Sequence, residues 1–101
     1  MAANPEDLPK TPLSPIRVRA NSDVGGIAGL LVSSIAEDRR ITLRAIGAGA
    51  VNQAVKGTIR ARQIMSGSGE DIYLIPGFTT IEGDNGDEVS AIVLHCLLKD
   101  W

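Results

Sequence analysis

Apolar and polar residues alternate over Ile16-Arg17-Val18-Arg19-Ala20, the period-two pattern of a short half-buried strand. Asn21-Ser22-Asp23 follows, and a short side-chain oxygen there can accept from the unpaired N–H groups that open a helix. Val24, Ile27, Ala28, Leu31 and Ile35 then recur at helical spacing, predicting a first helix that ends near Glu37. Arg39-Arg40 turns the chain, and Ile41 to Ile46 reads as a second strand. Gly47-Ala48-Gly49 makes a tight turn into a second helix from Ala50 to Met65, with Val51, Ala54, Val55, Thr58, Ala61 and Met65 as its apolar face. Ser66-Gly67-Ser68-Gly69 stops it. Two strands, Asp71 to Ile81 and Glu88 to Leu98, flank the turn Gly83-Asp84-Asn85-Gly86-Asp87 as a hairpin.

The order β-α-β-α-β-β predicts an α/β two-layer sandwich, a mixed four-stranded sheet with both helices on one face. Pro76 lacks an N–H, so the third strand is expected at an edge. The last strand is apolar at nearly every position and is expected to be central. Ile27, Leu31, Val51, Val55, Ile92 and Leu94 are expected among the buried residues.

At 101 residues, with 44% hydrophobic residues, the chain has the size and composition of one globular domain. Four of the five prolines lie in residues 1–15, so residues 1–14 read as an extended or disordered leader and 15–101 as the folded domain. Aromatic residues make up only 3%, which argues against modules that stack bases on rows of aromatics. The single cysteine excludes an internal disulfide and suits a reducing compartment. No secretory signal or membrane span is visible, and a cytoplasmic location is expected.

The net charge of −2 conceals a polarised chain. Lys10 to Arg62 holds nine basic and three acidic residues, whereas Gln63 onward holds one basic and seven acidic. Such a chain can present one positive and one negative surface.

Catalytic chemistry finds no support in the sequence, and no enzyme activity is expected. His95 and Cys96 are adjacent on a strand and point to opposite faces, so they cannot act as a pair. They are also too few for a structural zinc site. Six of the twelve carboxylates cluster at two turns, without the spacing of an EF-hand. No metal or cofactor is expected.

Binding has more to work with. Gly47-Ala48-Gly49-Ala50-Val51-Asn52 imitates half of a dinucleotide fingerprint, but Asn52 replaces its third glycine. A helix start approached by a Gly-rich turn still suits one phosphate. Equally, Gly47 and Gly49 can serve only to make the turn and bring the helix close. Along the second helix Asn52, Lys56, Arg60 and Gln63 form one polar stripe with two cations and no acid. That stripe is either a solvated helix face or a surface for phosphates, with Arg44 and Arg62 adding to the same half of the chain.

The segment Ala45-Ile46-Gly47-Ala48-Gly49-Ala50-Val51-Asn52-Gln53-Ala54-Val55-Lys56 resembles the signature of the stage V sporulation protein S family. Ile75-Pro76-Gly77-Phe78-Thr79-Thr80-Ile81 resembles that family's third strand, and Val24 to Leu31 its first helix. The resemblance covers Ser14 to about Leu98. It implies an Alba-like fold, a homodimer or larger homo-oligomer, a regulatory role in sporulation or gene expression, and weak, sequence-nonspecific binding of DNA or RNA. Alba-type proteins carry basic residues after the first strand, before the second helix and at the hairpin tip. Here those places hold Asn21-Ser22-Asp23, Gly47-Ala48-Gly49 and the acids Glu82, Asp84, Asp87 and Glu88. The nucleic-acid-binding residues then expected are Arg44, Gly47, Gly49, Asn52, Lys56 and Arg60. The alternative is a self-assembling structural or protein-interaction module, for which opposite charge halves suit head-to-tail contacts.

Overall fold

A computed structural model describes residues 15–100. The leader read over residues 1–14 lies outside the described residues, as does Trp101. The elements run β1 (Ile16–Val18), α1 (Val24–Asp38), β2 (Arg40–Ala45), α2 (Ala48–Ile64), β3 (Glu70–Glu82) and β4 (Glu88–Asp100). One four-stranded sheet has the order β1-β2-β4-β3, with β1 and β2 parallel and β4 antiparallel to both its neighbours. The β-α-β-α-β-β sandwich expected from the pattern is the observed fold. β4 is central and β3, with Pro76, is an edge strand.

α1 begins where Asp23 Oδ2 accepts from the Gly26 N–H at 2.8 Å, filling a donor that the first helical turn leaves open. It ends at Arg39, which takes the left-handed conformation (φ 64°) and donates its N–H to Ile35 O. A non-glycine residue is uncommon there, and this sharp stop lets β2 start one residue earlier than the pattern suggests. At Gly47 the φ of 87° is one that side-chain-bearing residues rarely adopt. α2 therefore starts at Ala48 rather than Ala50.

Both helices cover one face of the sheet. Ile27, Leu31 and Ile35 of α1 meet Val18, Leu43, Ala45, Leu94, Cys96 and Leu98 of the strands, all buried. Strand alternation sends the other residues to a second face bearing Arg17, Thr42, Arg44, Val93, His95 and Leu97. Cys96 and His95 are divided in the same way. The Cys96 thiol is buried in the core, where desolvation pushes its pKa up to about 12. His95 Nδ1 lies 3.1 Å from Thr42 Oγ1 on the opposite face, and partial burial lowers its pKa.

α2 departs from the expected core. It buries Ala50, Ala54, Gly57, Thr58 and Ala61. Val55, expected inside, is 39% exposed, and Val51 and Ile92 are only partly buried against the core. The cause is close approach: a Cβ at Gly57 would press on Ile27 Cγ2 and lie 2.8 Å from Ile27 Cβ. Small residues fill the contact, and the larger apolar ones turn outward.

Candidate nucleic-acid interface

Strand lengths and register set the site. β2 pairs with β4 only from Ile92 to Leu97, whereas β3 and β4 stay paired out to Glu82 and Glu88. The hairpin therefore projects past the last residue of β2. It does so at the end of the sandwich that also holds the β1–α1 loop and the start of α2. The other end is closed by ion pairs. Arg62 grips Asp71 with two hydrogen bonds of 2.8 Å, Nε to Oδ1 and Nη2 to Oδ2. Arg39 Nη1 donates to Glu70 Oε2 at 3.1 Å. Hydrogen bonding and then charge from Asp71 raise the Arg62 pKa.

The expected site residues fall into separate places. Asn52, Lys56 and Arg60 lie exposed along α2. Gly47 and Gly49 stand at the start of the same helix, which has no side-chain cap. Each has a local reason: Gly47 its positive φ, and Gly49 a contact in which a Cβ would sit 2.9 Å from Ala20 Cβ. Arg44 is not with them. It projects from the opposite sheet face, directly beside its register partner Arg17.

Arg17 was not among the expected site residues. The alternation at Ile16-Arg17-Val18-Arg19 signalled that it faces away from the core, but only the β1–β2 register reveals its neighbour. Arg17, Arg19 and Arg44 line a cleft of about 590 Å³ whose far wall is formed by Ile81, Glu82, Gly83, Asp84 and Val89 of the hairpin.

A second groove of about 700 Å³ opens on the helix side, between the start of α2 and the hairpin. Val51, Asn52, Val55, Phe78 and Ile92 line it. Phe78 is 83% exposed there, and Ile59, 48% exposed, lies one turn beyond Val55 on α2. Among the described residues no group of three or more His, Cys, Asp or Glu side chains gathers to hold a metal. Likewise no helix is long and apolar enough to cross a membrane.

This architecture defines the class as an Alba-like sandwich. It is similar to Alba from Thermoplasma volcanium, with a TM-score of 0.52 and 15% identity, over 80% of this chain and 98% of that one. Within that class, the family model for Stage V sporulation protein S (SpoVS) matches residues 14–99. The chain belongs to this sporulation protein family.

Proposed function

We propose that the chain is a noncatalytic, homodimeric cytoplasmic module that binds DNA or RNA weakly through phosphates, without base readout along α2, as a regulator of sporulation or gene expression. The observation that carries this reading is the contrast among its cations. Arg39 and Arg62 are paired with acids, whereas Lys56 and Arg60 on α2 have no acidic partner among the described residues. Unneutralised cations beside a helix start are what a phosphate backbone attracts.

Dimerisation is supported by the apolar surface around Phe78, Val55 and Ile59. Apolar surface gathered beside a groove is characteristic of contact sites. The acids Glu82 and Glu88 at the hairpin and the cations Lys56 and Arg60 on α2 flank this surface, so two copies can oppose unlike charges.

Titration of labelled DNA and RNA at two salt concentrations tests the binding. Replacing Lys56 and Arg60 with Ala should weaken binding to all sequences alike, and should reduce the slope of log K against log salt by about one per lost contact. Absence of salt-sensitive binding by the wild type overturns the reading and leaves self-assembly as the function.

A further inference from the structure

The cleft between β1 and the hairpin holds a charge arrangement that the phosphate reading of α2 does not use. Arg17 and Arg44 are register partners on adjacent parallel strands, so their backbones are about 4.8 Å apart. Like charges side by side on one sheet face repel, and no described acid neutralises either of them. Asp84 lines the same cleft from the hairpin side, whereas strand alternation turns the Glu82 side chain to the α2 face with its register partner Glu88. Yet among the described residues no ion pair joins the Asp84 carboxylate to the guanidinium groups, and it has no other partner. The two charged walls are held apart, with Ile46, Ile81 and Val89 supplying apolar surface between them. The space, about 590 Å³, lies within the ~300–1,000 Å³ range of small-molecule sites.

We propose that this cleft seats one guanine nucleotide, its phosphate on Arg17 and Arg44 and its base toward Asp84. Guanidinium groups bind phosphate oxygens through paired N–H donors. Ionised carboxylates only accept hydrogen bonds, so the base they favour is one that offers neighbouring donors. Guanine does so with N1–H and the N2 amino group. Adenine and cytosine set a ring-nitrogen acceptor beside their amino group, which would face the carboxylate oxygens and be repelled. The aliphatic side chains between the walls meet the faces of the base. This site goes beyond the phosphate reading, because it selects a base, and it lies on the opposite face of the sheet from the α2 stripe.

The test is titration of the full chain with guanosine 5′-monophosphate, adenosine 5′-monophosphate and inorganic phosphate, followed by backbone amide NMR. The expected result is saturable guanosine monophosphate binding, at least ten-fold tighter than for the adenine nucleotide. Shifts should be confined to the ends of β1 and β2 and the hairpin. Arg17→Ala with Arg44→Ala should weaken that binding ten-fold or more. Asp84→Asn should bring the guanine nucleotide to the level of the adenine one, while phosphate binding persists. Lys56→Ala with Arg60→Ala should leave nucleotide binding unchanged, even where it abolishes salt-sensitive polynucleotide binding, so the two readings fail separately. The amide spectrum of each variant reports its folding. Equal affinity for both nucleotides, no saturable binding, or shifts centred on α2 would overturn the proposal.

Discussion

The two helices lie on the same sheet face but use their side chains in opposite ways. α1 buries Ile27, Leu31 and Ile35, which supply the core, and leaves Leu30 exposed. α2 buries alanines, Gly57 and Thr58, and leaves Val55, Ile59 and Ile64 exposed. Their starts differ too: Asp23 caps α1, whereas Gly47 offers α2 no side-chain cap. One helix is built to hold the domain together. The other is fitted closely by its small residues and presents cations and large apolar groups outward, which is the arrangement of a contact surface.

The largest expected effect tests the first half of that contrast. Leu31 is fully buried, and Leu31→Ala should cost about 2–5 kcal/mol in urea unfolding, through lost transfer energy and the cavity left behind. Val55→Ala, on the outward side of α2, should cost about 0.5 kcal/mol or less at concentrations where the chain is monomeric. Equal losses at the two positions would remove the distinction between the helices.

Gly57→Ala comes next. The added methyl collides with Ile27 Cγ2 and Cβ, atoms on a β-branched side chain with little freedom to move. Overpacking should cost ~1–3 kcal/mol, against a gain of ~1 kcal/mol in helix propensity, so the net change is a modest loss. Combined with Ile27→Ala the two changes should be less than additive, because the second removes Cγ2, the nearest atom that the first meets, and leaves only Cβ. A stabilised Gly57→Ala single variant would mean that α2 is not held close by its small residues.

The contrast also explains how far the sequence could be read. Element order, the central place of β4 and the edge place of Pro76 follow from local patterns, and the structure agrees. Ile27, Leu31 and Leu94 are legible as core because large apolar residues recur with the right period. Val55 is not, since it has the same period and chemistry as a core residue. What excludes it is the distance between the helices, set by Gly57 against Ile27 through contacts thirty residues apart in the chain. The site divides along the same line. The stripe Asn52, Lys56 and Arg60 lies on one helix, so its spacing alone places it on one exposed face. Arg44 shares their charge and stands close to them in sequence, but strand alternation puts it on the other side of the sheet. Its pairing with Arg17 depends on a parallel register that no local signal specifies.

The smallest expected effect on stability belongs to Ile59, and it bears on the second half of the comparison. Ile59 is 48% exposed on α2, one turn beyond Val55 and on the side that carries the groove with Phe78. In the isolated chain Ile59→Ser removes little buried surface, and the unfolding free energy should change by about 0.5 kcal/mol or less. In a dimer the same side chain is covered, and its loss weakens association rather than folding. Apparent stability then depends on protein concentration for the wild type and loses that dependence in the variant. Sedimentation at micromolar concentration should show a dimer mass for the wild type and a monomer mass for Ile59→Ser combined with Phe78→Ser. A wild type that sediments as a monomer would leave these outward apolar residues without a partner copy. A double variant that stays dimeric would place the contact on another surface.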